Sequence, residues 1–203
     1  MDDVQQPYRG MRLDATAVRV LAHPLRSRLL GQLRLTGPAT ATELAARLST
    51  NTGATSYHLR KLESVGLVAD TGEGEGKRRV WRASTSFHNF NPSDYRGDDD
   101  AAAAAGWLQR DYVRRMAERA ERWLDVAERW PADWVDAAGV SDTFVTVRAD
   151  QLRDLQAELN AVLDRWRSAG ERDPTACRVQ VAWVAHPSDL GADPPGTGSE
   201  TER

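Results

Sequence analysis

The chain has 203 residues, 40% hydrophobic and 28% charged, which suits one ordinary domain plus a smaller second one and excludes wholesale disorder. No run approaches the roughly 18 apolar residues of a membrane span, and Met1-Asp2-Asp3 lacks the basic-then-apolar order of a secretory signal, so a cytoplasmic protein with no membrane partner is expected. The net charge of −3 is uneven: residues 12–82 hold 12 Lys/Arg against 6 Asp/Glu and residues 91–203 hold 14 against 22, a basic front suited to a polyanion and an acidic back.

Residues 1–13 show no clear period and are expected to form a loose arm. Asp14 opens an apolar-rich stretch, 15–22, suited to a short helix. His23-Pro24 interrupts it: the residue before a proline is pushed out of the helical region, and proline suits a first helical position, so His23 reads as a cap. Leu25, Leu29, Leu30 and Leu33 recur at helical spacing until Gly37-Pro38. Thr40-Ala-Thr-Glu43 is a capping box and predicts a helix over 41–48 with Leu44, Ala45 and Leu48 inward. After residues 49–52 a second helical pattern covers 53–65, ended by Gly66 as a left-handed C-cap with Leu67 folding back.

Strand-like runs at 67–70 and 79–83 flank Thr71-Gly-Glu-Gly-Glu-Gly-Lys77, too glycine-rich for anything but a turn. They predict a β-hairpin with a basic shoulder. The Asn, Pro, Ser, Asp and Gly of 84–98 place a domain boundary there. Carboxylates at 98–100 favour a helix start, and a long helix is predicted from Ala101 to Trp130, with Leu108, Tyr112, Met116, Trp123 and Trp130 on its apolar stripe. At about 1.5 Å per residue it spans roughly 45 Å, more than the first domain covers, so part of the stripe needs another partner. Runs 144–148 and 178–185 around a helix at 150–167 read as strand, helix, strand. The Gly-, Pro- and Ser-rich tail 188–203 reads as disordered.

On a helical wheel, Thr55, Leu59 and Leu62 define the buried side of the 53–65 helix. Gly53, Tyr57, Arg60, Lys61 and Ser64 fall opposite, a polar and cationic set without acids. Arg and Lys there can reach guanine edges or phosphates, Asn51 and Thr52 lie at the helix N-terminus, where backbone N–H groups suit a phosphate, and Ser56 is a further candidate DNA contact. His58 sits at the edge of the buried side and reads as a structural histidine that also touches a phosphate. Lys77, Arg78 and Arg79 can follow the DNA backbone or minor groove.

His23-Pro-Leu-Arg-Ser-Arg-Leu-Leu30, Thr42-Glu-Leu-Ala-Ala-Arg-Leu48, Ser56-Tyr-His-Leu-Arg-Lys-Leu62 with Val65-Gly-Leu-Val68, and the hairpin ending in Trp81-Arg82 together resemble the ArsR-type winged helix-turn-helix repressors over residues 14–84. The resemblance implies a homodimer on a pseudo-palindromic operator, with each recognition helix in a major groove. Metal-sensing members carry paired cysteines on the helix before the recognition helix, or His and acids on the terminal helix. Here 42–48 has no cysteine and 101–130 no histidine, so no metal or cofactor is expected. Residues 131–203 exceed the short members of the family, and any small-molecule effector is expected to act there.

The competing readings are a protein-interaction module and an enzyme on the rear unit. No GxSxG, GK[ST] phosphate loop or HExxH occurs, and Gly72, Gly74 and Gly76 sit in a polar hairpin with no helix after them, so no enzyme is expected. Cys177 alone excludes a disulfide framework and reads as a small buried apolar residue. His88 and His186 read as isolated loop histidines, and Trp107, Trp123, Trp130 and Trp166 as helix-packing residues. The expected fold is α+β and mainly helical. It comprises an arm 1–13, a winged helix-turn-helix domain 14–84, a long and a short helix over 98–139 that join two copies, a strand-helix-strand unit 140–187, and a tail 188–203.

Overall fold

The computed structural model describes residues 10–191 apart from Glu75 and Lys77. Two compact units divide between Glu121 and Arg122. In the first, β1 (Gly10–Arg12), α1 (Ala15–Leu21), α2 (Pro24–Thr36), β2 (Ala39–Thr40), α3 (Ala41–Arg47) and α4 (Thr52–Glu63) are followed by β3 (Val68–Asp70), β4 (Val80–Ala83) and β5 (Phe87–Asn89). A 3-10 turn, Pro92–Tyr95, then leads into α5 (Asp99–Val126), which runs on into the second unit.

Local chemistry sets most of these boundaries. Asp14 accepts from Ala17 N–H at 2.7 Å and starts α1, while His23 Nδ1 accepts from Leu25 N–H and starts α2 with Pro24 in its first turn. Thr40 and Glu43 form the reciprocal capping box of α3. Gly66, at φ 73°, supplies the left-handed residue that lets Leu67 N–H return to the carbonyl of Leu62. Strands β2 and β3 flank β4 in an antiparallel sheet, with Ala39 opposite Trp81 and Val68 opposite Ala83. Leu29, Leu33, Leu44, Leu59, Leu62, Leu67 and Trp81 fill the space between sheet and helices.

Two stretches expected to be irregular are ordered. Residues 10–12 of the expected arm pair in parallel with β5 inside the expected linker, Gly10 opposite Phe87. Gly10 has no room for a Cβ against the Phe87 ring. Arg12 donates to both carboxylate oxygens of Asp94, and Tyr95, buried, donates its hydroxyl to the Leu13 carbonyl at 2.8 Å. Ala101, Ala105 and Leu108 then lay the start of α5 into the same core. The stretch 84–98 is therefore a packed connection rather than a bare linker. Residues 1–9 of the arm lie outside the described residues.

The second unit holds a 3-10 turn, Ala127–Arg129, then α6 (Ala132–Ala137) and α7 (Ala149–Trp166). Trp123, Trp130 and Trp134 meet edge to face, with ring centroids 5.5 and 6.0 Å apart. The strands expected at 144–148 and 178–185 are absent: among the described residues the last strand is β5. Alternation specifies a register only when one face is buried. Phe144 and Val145, adjacent and on opposite faces, are both exposed, as are Val181 and Val184. Cys177 is exposed rather than buried. Of the expected tail, residues 192–203 lie outside the described residues.

Candidate nucleic-acid interface

Helix α4 turns Thr55, Leu59 and Leu62 into the core, each at 0% exposure. That fixes what remains outside: Gly53, Tyr57, Arg60 and Lys61 are exposed, and Ser56 and His58 are half-buried at the two edges. Asn51 caps the helix, its side-chain oxygen accepting from Ala54 N–H at 2.8 Å, and Thr52 is the first helical residue. Among the described residues no carboxylate pairs with Arg60 or Lys61; the Lys61 ammonium stands 5.8 Å from the Tyr57 ring centre. Both cations occupy the last turn, where the helix dipole favours them.

Between α4 and the β3–β4 hairpin lies a cleft of about 420 Å³, lined by Thr42, Thr52, Ser56, Arg60, Arg78 and Trp81. All six of these side chains offer hydroxyl, guanidinium or indole donors, which is the chemistry a phosphodiester accepts from. The hairpin arginines are held in place. Arg78 lies 3.6 Å from Glu43, and Arg79 lies 3.6 Å from Glu63 and 3.4 Å from Asp70, with its guanidinium 5.6 Å from the Trp81 ring centre. Glu43 keeps a pKa below the ordinary carboxylate value, because the Thr40 backbone N–H and hydroxyl both donate to it.

The structure thus brings Asn51, Thr52, Gly53, Ser56, Tyr57, His58, Arg60 and Lys61 together on α4, with Arg78 and Arg79 across the cleft. Lys77 lies outside the described residues. His58 turns toward α2, where its ring centre lies 4.4 Å from that of His23. Sequence reasoning missed Thr42 and Trp81 as cleft residues and Glu63 and Asp70 as partners of Arg79. Thr42 lies inside the capping box, two positions after Thr40, and carried a signal, since a residue in the first turn of the preceding helix can overlook α4. The ion pairs carried none, because they join elements through the tertiary fold. Among the described residues no three His, Cys, Asp or Glu side chains cluster to hold a metal, and no helix is long and apolar enough to cross a membrane.

The family model described as "Helix-turn-helix domain" matches residues 21–71. Two solved structures from Mycobacterium bovis are similar over part of the chain. One is the solution structure of the homodimeric winged helix-turn-helix DNA-binding domain (fragment 1–100) of Mb0332, described as a possible ArsR-family transcriptional regulator. It is 25% identical, covering 51% of this chain and 77% of that one, with a TM-score of 0.32. The other is the crystal structure of a possible transcriptional regulatory protein (fragment 1–100), 25% identical over 51% of this chain and 89% of that one, also at 0.32. No curated protein matches the chain. With α3 and α4 joined by a short turn, the α4 side chains outward and the β3–β4 hairpin behind them, residues 21–71 of this chain are a helix-turn-helix domain, which the hairpin makes a winged one.

Proposed function

We propose that the protein is an ArsR-type transcriptional regulator, acting as a repressor in the cytoplasm on nucleoid DNA. A homodimer binds a pseudo-palindromic operator, α4 entering a major groove and the hairpin bracing the flanking backbone. The observation that carries the reading is the exposed Tyr57, Arg60 and Lys61 face of α4, cationic and free of carboxylate partners, with a donor-lined cleft beside it. An apolar docking face would not be built from such groups. The exposed apolar side chains of α7 and of residues 140–148 suit the contacts that join two copies.

The test is a mobility shift on the DNA upstream of the protein's own gene, with competitor DNA and salt titrated. A retarded band that survives competitor and fades with salt is expected. Failure to retain any fragment of a genomic pool would move the assignment to a protein-interaction module. Arg60→Ala is expected to cost about 1–3 kcal/mol of operator binding and to relax preference at one base position. Lys77→Ala should instead weaken all sequences alike. Operator binding equal to the parent's in both variants would displace the site from this face.

The acids beside the wing act in the opposite direction. Glu63 and Asp70 hold Arg79 in the free protein, and a phosphate must take it from them. Exposed pairs contribute about 0.2–1 kcal/mol, so Glu63→Gln should tighten duplex binding by up to about fivefold. Binding unchanged or weakened in titrations at low salt would count against phosphate contact by Arg79.

A further inference from the structure

On the edge of α4 that faces α2 lie three nitrogen-bearing side chains, His23, Arg26 and His58, and among the described residues no carboxylate pairs with them. His23 Nδ1 accepts from Leu25 N–H at 3.2 Å, which in the neutral ring leaves the proton on Nε2. Its ring centre lies 4.4 Å from that of His58, and Tyr57 stands edge-on to His58 at 5.2 Å. Arg26, in the first turn of α2, is close enough to disfavour protonation of both imidazoles. Among the described residues, two buried nitrogens of this cluster, His58 Nδ1 and Arg26 Nε, have no hydrogen-bond partner. Buried polar atoms are almost always satisfied, so two orphans on side chains that influence each other call for a partner group. Arg26 Nε can only donate, so that group is an acceptor, and the guanidinium charge makes it an anion.

The charged groups on the neighbouring elements are engaged elsewhere. On α1, Arg19 pairs with Asp98; on α3, Glu43 faces Arg78; Glu63 at the end of α4 and Asp70 of β3 face Arg79. Among the described residues none of these acids pairs with Arg26. His58 shares α4 with Tyr57 and Arg60.

We propose that His23, Arg26 and His58 form a seat for a phosphate group beside the recognition helix. The same chemistry fits a phosphodiester of bound DNA or a free phosphate. Its use in DNA binding rests on the reading above. Arg26 supplies the charge and a donor, His58 Nδ1 a second donor, and His23 Nε2 a third. Both imidazoles have their pKa below the ordinary 6.5, first through burial and then through neighbouring positive charge. An anion beside them favours their charged forms, so its binding takes up protons.

The test follows the side-chain nitrogen resonances of His23 and His58 during titration with inorganic phosphate, against chloride at matched ionic strength. A parallel titration uses a duplex selected by the protein from a random pool, with gel retardation of the same duplex. Saturable shifts of both imidazoles are expected. A response to duplex alone assigns the seat to the DNA backbone, and one to phosphate alone assigns it to a free anion. Arg26→Gln should remove the response, weaken duplex binding about tenfold on selected and unrelated sequences alike, and lower the salt slope by about 1. His58→Gln gives the same readouts if Arg26→Gln fails to fold. Retardation with both imidazoles silent overturns the seat and leaves the DNA-binding reading standing. Imidazole response to phosphate without retardation supports the seat and overturns DNA binding, while silence in both experiments overturns the two together.

Discussion

Replacing Asp111 by alanine is expected to destabilise the first unit by about 3 kcal/mol, the low end for breaking a buried ion pair because Arg115 remains partly exposed. Asp111 is 8% exposed, accepts from the Ser27 hydroxyl at 2.9 Å and pairs with Arg115 at 3.0 Å. Arg115 in turn donates to the Ser27 carbonyl. One carboxylate therefore fastens α5 to α2 and satisfies two other polar groups. Alanine leaves a buried hydroxyl and a half-buried guanidinium without their acceptor, whereas asparagine keeps the Ser27 bond and should cost about half as much. Urea unfolding followed by circular dichroism measures both. A loss below about 1 kcal/mol for Asp111→Ala would mean that the alanine and leucine contacts of α5 suffice to hold it.

Those contacts also show what a sequence carries. Ala101, Ala105 and Leu108 recur at helical spacing, each at 0% exposure, so the run that reads as helix-forming is also the small-residue face that lets α5 approach the core. The capping box at Thr40, the His23 cap, the Gly66 turn and the buried face of α4 are legible because each depends on residues within one or two helical turns. The parallel pairing of β1 with β5 is not, because strands of three residues carry almost no period and the partners stand far apart in the chain. The same limit conceals the wing. Arg78 and Arg79 read as a basic shoulder of the hairpin, and the fold sets Glu43, Glu63 and Asp70 against them. The second unit inverts the problem, since its alternating apolar runs have the pattern of strands and lack the buried face that would fix a register.

His88 reads as a lone loop histidine in the sequence and becomes the most strongly perturbed imidazole in the fold. Arg34 approaches its Nδ1 at 2.7 Å, and a guanidinium has only donors, so Nδ1 accepts and the ring proton sits on Nε2, which faces the Tyr112 hydroxyl. Protonation would set Nδ1–H against Arg34, with Arg115 also nearby. Burial first, and then these two cations, lower the His88 pKa to about 3. The unfolded chain binds this proton near pH 6.5 and the folded chain does not, so stability is full above pH 6.5 and falls as pH drops toward 3. Integrated over that window the loss is on the order of 4 kcal/mol. Asp94, Asp98 and Glu43, whose pKa values are lowered by their own hydrogen bonds, add acid sensitivity below the ordinary carboxylate range, while His23 and His58 contribute in the same direction as His88. The expected result is therefore a difference: urea midpoints for the parent should fall between pH 6.5 and 4.5 more steeply than those for His88→Asn, which keeps an acceptor for Arg34 and cannot titrate. Parallel profiles would mean that His88 protonates freely in the folded state, and that the Arg34 and Tyr112 bonds do not hold β5 between α2 and α5 as the geometry requires.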